Sequence, residues 1–341
     1  MIRKLLLLGC IATMIACTPT KESTIDTTLQ TKVDSILQNK MSEIGVISGQ
    51  AIVMEVQTGE IKAIVGNGIS QESGLIRTAS LLTALETGKV KLSDTVDVGE
   101  GVYMVHDKEL LDHNWHRGGY GKLTTLQGLM VNSHIANYKN IERAFTEEQA
   151  YFDMLDKMNY GQPENIEGLD DLKASHFITP NDSGWNNTSL AWFCIGYNQQ
   201  ISPIQMLTFY NAIANDGKMV KPTLYKGETE VINPQIASKA NIDSLQMALV
   251  KVVTEGLGKP AQSEKVQVAG VSGGCQISTE EDKSEGRVNT IYSVEYCGYF
   301  PAENPKYSII VSMNKVGLPA SGNLMAGSVF KEIVNYIEAT K

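Results

Sequence analysis

Both ends of the chain carry β-strand patterns, whereas the middle is helical. Residues 49–66 (GQAIVMEVQTGEIKAIVG) alternate apolar and polar side chains on both sides of Thr58 and Gly59, which is typical of a β-hairpin. Helical spacing of apolar residues dominates from residue 73 to about residue 259. Strand patterns then return, followed by an amphipathic helix, in KVQVAGVSGGCQIS, NTIYSVEYCGYFP, KYSIIVSMN and AGSVFKEIVNYIEA.

This order of patterns predicts an α+β domain. We expect one antiparallel sheet built from the N- and C-terminal strands, packed by helices, with a mainly helical lobe inserted between them. The chain has 341 residues and is 42% hydrophobic, which is enough for a large core. Its formal charge is -9 at pH 7 and it has no run of Lys or Arg, so we expect no nucleic-acid partner.

The first residues, MIRKLLLLGCIATMIAC, have a basic start and a short apolar stretch, and Cys17 follows small residues. This pattern predicts a lipoprotein signal peptide over residues 1–16, with Cys17 as the lipid anchor. Residues 17–23 are then a tether and residues 24–341 the folded domain. Cleavage at Cys10 is the rival, but it leaves too short an apolar core. An uncleaved membrane anchor is disfavoured because a span needs about 20 apolar residues. We therefore expect an exported protein, lipid-anchored to the bacterial membrane and facing the periplasm or the cell exterior.

The strand patterns that contain Cys275 and Cys297 flank the polar segment TEEDKSEGR. A hairpin folded about Gly286 places these two cysteines opposite each other, and an exported protein can oxidise such a pair. The sequence therefore predicts a Cys275–Cys297 disulfide. The alternative is two reduced cysteines, side by side or on shifted registers.

Five segments in order resemble the transpeptidase domain of class B penicillin-binding proteins, within the penicillin-binding protein and serine β-lactamase-like superfamily. The resemblance runs from about Thr24 to the C-terminus and implies a β-lactamase/transpeptidase-like fold. The segments are TIDTTLQ, GQAIVMEVQTGEIKAIV, ASLLTALETGKVKLSDTVDVG, IGYNQQISPIQMLTFYNAIANDGKMVKP, and YCGYFPAENPKYSIIVSMNK with GSVFKEIVNYI.

The family's chemistry depends on three motifs, S-x-x-K, S-x-N and K-[ST]-G. The resemblance places Gly74 at the position of the serine nucleophile and Arg77 at the position of the lysine base. Glycine has no side chain with which to attack a carbonyl. Arginine cannot replace the base, because its pKa above ~12 keeps it protonated.

The other two motif positions are also substituted. The second motif aligns with Asn132 and His134, so the relay hydroxyl becomes an amide and the motif's asparagine becomes an imidazole. The third aligns with Val271, Ser272 and Gly273, so the lysine ammonium is missing. With all three motifs degenerate, the resemblance implies that no residue is catalytic.

Two serines offer other routes to an active site. Ser73 shares a helix face with Arg77, although arginine cannot deprotonate it. Ser272 and His134 lie on opposite walls of the same expected cleft and would form a hydroxyl with an imidazole base. We expect instead that Ser272 maintains a strand turn and that His134 caps a helix or hydrogen-bonds locally.

A metal site is a further alternative. His113 and His116 have a spacing that metals use, but no second pair completes a ligand set. We therefore expect no metal and no cofactor, with Trp115 and Tyr120 packing or forming a partner surface. The residues considered were His106, Asp107, Asp112, His113, His116 and His134.

These observations favour a catalytically inactive, penicillin-binding protein-like lipoprotein. We expect it to bind a peptidoglycan stem peptide or an envelope protein partner through Arg77, Asn132, His134 and Ser272. The alternative role of Arg77 is an ion pair with a nearby carboxylate. The alternative functions are an active D,D-transpeptidase that uses an unmapped serine, and a scaffolding lipoprotein with a vestigial cleft.

Overall fold

The computed structural model describes residues 21–282 and 287–340. The helices are α1 (Thr27–Ile44), α2 (Ile76–Glu86), α3 (Thr125–Met130), α4 (His134–Ala144), α5 (Glu148–Lys157), α6 (Ser189–Phe193), α7 (Pro203–Ala214), α8 (Lys239–Thr254) and α9 (Ala326–Ala339). The strands are β1 (Val46–Glu55), β2 (Ile61–Gly66), β3 (Thr95–Gly99), β4 (Val102–Val105), β5 (Lys108–Leu111), β6 (Gly121–Thr124), β7 (His176–Phe177), β8 (Gln199–Gln200), β9 (Met219–Val220), β10 (Val231–Asn233), β11 (Ala269–Asp282), β12 (Arg287–Phe300) and β13 (Tyr307–Val316).

The main sheet has the strand order β11-β12-β13-β1-β2, and every neighbouring pair is antiparallel. The N-terminal hairpin therefore joins the C-terminal strands through β1 and β13, where Ala51 lies opposite Val311. The predicted α+β architecture, with one antiparallel sheet from both ends of the chain, is confirmed.

The hairpin between β1 and β2 turns at Thr58 and Gly59, as its sequence predicts. Gly59 has a φ of 78°, and a Cβ there would lie 2.3 Å from the carbonyl oxygen of Lys221. Glycine is required because it tolerates this left-handed conformation and has no side chain to collide with the neighbouring backbone.

Helices cover both faces of the sheet. Helices α1 and α9 pack on one face, where Val33 and Phe330 are fully buried. Helices α2, α7 and α8 belong to the core on the other face. Burial on both faces explains why residues 51–54 of β1 are all buried instead of alternating.

Helix α2 is buried on all sides from Ile76 to Leu85, so Arg77 enters the interior with it. Tyr210 of α7 fixes its first turn by donating to the Leu75 carbonyl oxygen at 2.9 Å and to Thr78 Oγ1 at 2.7 Å. The inserted lobe contains α3 to α6 and the two-stranded pairs β3–β6 and β4–β5. Its helix α4 packs against α2, so the lobe lies beside the start of α2.

The predicted Cys275–Cys297 disulfide is wrong. Cys275 lies opposite Ser293, Cys297 lies opposite Val271, and both thiols are free and buried. The pairing of Asp282 with Arg287 centres the hairpin ahead of Gly286, and a register shift between Gln276 and Ser278 follows. Ser293, the residue opposite Cys275, is therefore four residues from Cys297 along β12.

The predicted signal peptide, the lipid anchor Cys17 and most of the tether lie outside the described residues. None of the helices within 21–282 and 287–340 combines the length and the apolar character needed to cross a bilayer. At the start of the described chain, Ser23 pairs with Tyr225 in an isolated β-bridge, which ties this segment to the folded domain.

Candidate functional site

A cleft of about 790 Å³ lies between the lobe, the start of α2 and the edge strand β11. Four residues predicted to bind a ligand line it together: Arg77, Asn132, His134 and Ser272. The structure thus brings residues from three distant parts of the sequence to one cleft. Val271, by contrast, is buried within the sheet and only 2% exposed.

The position expected for the nucleophile is closed by strand β11. A Cβ on Gly74 would lie 2.8 Å from the backbone nitrogen of Gly274 and 2.9 Å from its oxygen. A Cβ on Gly273 would lie 2.8 Å from the backbone nitrogen of Leu75. Since real Cβ atoms do not approach backbone this closely, the strand and the helix start leave no room for a side chain at residue 74.

Arg77 is 6% exposed, and its Nη2 donates to the backbone oxygen of Ser272 at 3.4 Å. Within the described part of the chain, no carboxylate oxygen lies within 4.0 Å of the guanidinium. The expected alternative of an ion pair is therefore not formed. Burial lowers the pKa of Arg77, but arginine in proteins remains protonated. The cleft has a positive charge without a counter-ion in contact.

Asn132 connects the lobe to the sheet. Its Nδ2 donates to Ser272 Oγ at 2.8 Å, and its backbone has a φ of 54°, a left-handed conformation that asparagine tolerates. Its Oδ1 is buried and has no partner among the described residues. The amide at the relay position thus binds β11 and leaves one acceptor free.

His134 is the first residue of α4, and its Nδ1 is 3.0 Å from the carbonyl oxygen of Leu111. Because a carbonyl oxygen only accepts, Nδ1 carries the hydrogen and Nε2 has a free lone pair. Burial, with a contribution from Arg77, lowers the pKa of His134 to about 3. The imidazole is therefore neutral, and the expected local hydrogen bond is present.

Ser272 and Ser133, which lies between the two substituted positions of the second motif, both have local hydrogen-bond partners. Ser272 Oγ accepts from Asn132 at 2.8 Å, and among the described residues the hydrogen bond of His134 goes to Leu111 and not to Ser272. Ser133 begins α4 as its N-cap, accepting from the Ala136 backbone N–H at 3.0 Å and donating to Asp112 Oδ2 at 2.7 Å. Burial raises the pKa of Asp112, and the hydrogen bond from Ser133 opposes that rise.

Ser73 has a partner that the sequence analysis missed. Its Oγ donates to Glu295 Oε2 at 2.6 Å, and Ser312 donates to Glu295 Oε1 at 3.3 Å. Burial raises the pKa of Glu295 to about 7, with the two serines and Arg77 acting in the opposite direction. The available signal was an acidic residue in VNTIYSVEYCGYF, a stretch with no other charged residue.

The Ser73–Glu295 pair has the hydrogen-bond reach of a nucleophile and its general base. The two residues are only 2% and 3% exposed, and the backbone oxygen of Ser73 is held by Gln199 at 3.0 Å. A carbonyl substrate therefore has no approach to Ser73 in this conformation. The geometry thus permits proton sharing between Ser73 and Glu295, but both side chains are buried.

The histidines considered for a metal site do not converge. His113 and His134 line the cleft, and His113 Nε2 lies 2.9 Å from the Tyr120 hydroxyl and 3.2 Å from the Val131 carbonyl oxygen. Trp115 is half-exposed. In the parts of the chain that the structure covers, no group of three or more His, Cys, Asp or Glu residues has an arrangement that could hold a metal ion.

The family model described as the penicillin-binding protein transpeptidase domain matches residues 49–335. The chain is 23% identical to penicillin-binding protein PbpB of Mycolicibacterium smegmatis, covering 93% of this chain and 54% of that protein. It is 22% identical to the probable peptidoglycan D,D-transpeptidase PbpC of Pseudomonas aeruginosa, covering 89% and 58%.

Among solved structures, the transpeptidase domain of penicillin-binding protein 3 from Burkholderia pseudomallei has the same fold. Its TM-score is 0.78 at 21% sequence identity, with 94% of this chain and 96% of that chain covered. The chain spans little more than half the length of the two relatives above, so the similarity extends over one part of each.

Proposed function

The chain belongs to the penicillin-binding protein transpeptidase family, and from that premise we propose that it forms no acyl-enzyme and instead binds a peptide carboxylate in its cleft. The observation that carries this proposal is the contact between Gly74 and Gly274. The nucleophile is absent and its space is filled. Removing the nucleophile of a serine hydrolase costs on the order of a million-fold in turnover.

The other catalytic roles have also lost their groups. Arg77 stays protonated and cannot take a proton from an attacking hydroxyl. Asn132 has an amide where the relay hydroxyl is expected, and that amide is engaged with Ser272. Val271 has no ammonium and is buried in the sheet. Restoring one of these groups therefore leaves the others missing.

The polar groups that remain suit the end of a peptide. The Arg77 guanidinium is a donor of fixed charge, and carboxylates are its best partners. His134 Nε2 is a neutral acceptor, so it suits an amide N–H of the same peptide and not the carboxylate itself. A C-terminus presents both groups together. A peptidoglycan stem peptide and the end of an envelope protein both meet this requirement.

We place this activity on an exported lipoprotein. The support is the sequence pattern of residues 1–16 and Cys17, with residues 17–23 as the tether and 24–341 as the transpeptidase-like domain. Radiolabelled palmitate should be incorporated in bacterial cells that express the full chain. Cys17→Ala should abolish incorporation, whereas Cys10→Ala should not.

The rival function is an acyl-serine enzyme, and the Ser73–Glu295 hydrogen bond of 2.6 Å is the observation in its favour. Intact-mass spectrometry after prolonged exposure to excess penicillin separates the two functions. We expect no mass increase. A stoichiometric adduct mapping to Ser73, Ser133 or Ser272 would show that the protein is an active acylating enzyme.

A further inference from the structure

The mouth of the cleft has three exposed leucines. Leu318 is 73% exposed, Leu324 is 65% exposed and Leu257 is 39% exposed, and all three line the cleft. Scattered apolar residues are common on protein surfaces, but a cluster at the rim of a concave site is a feature of binding surfaces. We call these three residues the leucine rim.

The leucine rim lies directly beside the polar base of the cleft. A Cβ on Gly322 would lie 2.4 Å from the backbone oxygen of Gly273 and 3.0 Å from Ser272 Cβ. The loop that carries Leu318 and Leu324 is thus packed onto the same two residues of β11. Ser272 also accepts hydrogen bonds from Arg77 and Asn132. Ser272 therefore lies between the Arg77 guanidinium and the loop that carries Leu318 and Leu324.

The charge of the cleft is positive. Arg77 and Lys259 line it, and no Asp or Glu is found among the described residues of its wall. Buried Arg77 therefore favours an anion at the base of the cleft, while the leucines favour an apolar group at its mouth, where Lys259 is also exposed. A positive charge at the base and apolar surface at the mouth are complementary to a chain end that has a carboxylate next to an apolar side chain.

We propose that the cleft binds the C-terminus of a polypeptide whose last residue has a large apolar side chain, such as leucine. The carboxylate meets Arg77, the terminal amide N–H meets His134 Nε2, and the side chain packs on the leucine rim. This inference rests on the proposed carboxylate-binding function and specifies which peptide C-termini the cleft binds. The methyl groups of a D-Ala-D-Ala end would leave Leu318 and Leu324 in water, so that end is the weaker fit.

The test uses fluorescence anisotropy with four fluorescein-labelled hexapeptides of common composition. They end in Ala-Leu with a free carboxylate, Ala-Leu amide, Ala-Ala with a free carboxylate, and D-Ala-D-Ala with a free carboxylate. We expect the Ala-Leu carboxylate to bind about tenfold more tightly than its amide, because the amide loses the charge-assisted hydrogen bond. We expect a similar advantage over both alanine ends, because they lose the apolar contact.

Exposed positions allow variants that do not disturb the core. Leu318→Ser with Leu324→Ser should reduce affinity for the Ala-Leu carboxylate to that of the Ala-Ala carboxylate, and leave the latter unchanged. The matched control is Met104→Ser, since Met104 is also exposed, at 53%, but does not line the cleft. This control should bind all four peptides as the unmodified protein does.

Each outcome has one meaning. A preference for carboxylate over amide without any preference for leucine over alanine would refute the leucine-rim proposal and leave the proposed carboxylate function in place. Equal binding of the Ala-Leu carboxylate and its amide would refute both. If the leucine variants abolish self-association in sedimentation while peptide affinity is unchanged, the rim covers a second copy of this chain and the proposal is wrong.

Discussion

Gly74, just ahead of helix α2, lies so close to Gly274 of the edge strand β11 that a side chain at residue 74 would collide with that strand. A Cβ on Gly74 would lie 2.8 Å from the Gly274 nitrogen and 3.3 Å from the guanidinium Nη1 of Arg77. The helix start is therefore closer to the strand than any residue with a side chain permits. A side chain at residue 74 and the present position of strand β11 are therefore incompatible.

This contact predicts that Gly74→Ser does not restore acylation and destabilises the fold. The new side chain has to displace backbone, which costs about 1–3 kcal/mol in a packed interior. Intact-mass spectrometry with penicillin and urea unfolding measure the two effects. Gly184→Ser is the control, because the nearest atom to a Cβ there is 4.0 Å away, and its stability should be unchanged. A penicilloyl adduct on Gly74→Ser would contradict the closed site.

The raised pKa of Glu295 predicts that the stability of the protein depends on pH. Burial raises its pKa from the ordinary 4.5 to about 7, so the folded state binds the proton more tightly than the unfolded chain. The stabilisation from the protonated form is complete below pH 4.5 and is lost as the pH rises through about 7. The difference is on the order of 3 kcal/mol.

Glu295→Gln should remove that dependence, because the amide does not titrate. Urea unfolding from pH 4.5 to pH 8 should show a free energy of unfolding that falls with pH more steeply in the unmodified protein than in the variant. The exposed Glu100→Gln serves as the control and should follow the unmodified protein. Parallel curves for Glu295→Gln and the unmodified protein would show that Glu295 does not bind a proton in this range.

Ser133 is predicted to matter for stability and not for chemistry. Ser133→Ala removes the N-cap of α4 and leaves the fully buried Asp112 without its 2.7 Å donor. The expected loss is about 1–3 kcal/mol in urea unfolding. Ser244→Ala in α8 should be nearly neutral, because the Ser244 hydroxyl donates to the Ala240 carbonyl oxygen of the same helix and caps no helix end. A loss for Ser133→Ala no larger than for Ser244→Ala would mean that the cap and Asp112 contribute little.

His134 is predicted to remain neutral through the physiological range. Burial and the nearby Arg77 charge lower its pKa to about 3, whereas an ordinary histidine titrates near 6.5. Its Cε1 proton resonance should therefore not shift between pH 5 and pH 8. Because the unfolded chain takes up this proton first, the contribution of His134 to stability should fall as the pH drops below 6.5. A titration midpoint near 6.5 would show that the imidazole is solvated.

Much of the fold and part of the candidate site could be predicted from local patterns. The alternation on both sides of Gly59 predicts the hairpin, and the apolar spacing after Gly74 predicts helix α2 with Arg77 one turn in. Periodicity and turn preference depend on residues that are neighbours in the sequence. They can therefore be identified without knowledge of the tertiary structure. The resemblance also predicts a cleft that contains Arg77, Asn132, His134 and Ser272, and all four residues line one cleft in the structure.

The contacts that define the site depend on residues about 200 positions apart and could not be predicted in this way. Ser73 and Glu295 are 222 residues apart, and Arg77 and Ser272 are 195 apart. Local patterns also misplaced the β11–β12 register, because a small shift of the turn and one irregularity move Cys275 opposite Ser293. The packing of helix α2 against strands β11 and β12 decides three features of the site. It leaves no room for a side chain at residue 74, it places a carboxylate beside Ser73, and within the described residues it leaves Arg77 without a carboxylate in contact. Packing distances of a few ångströms depend on the whole core, so they cannot be predicted from any short segment of the sequence.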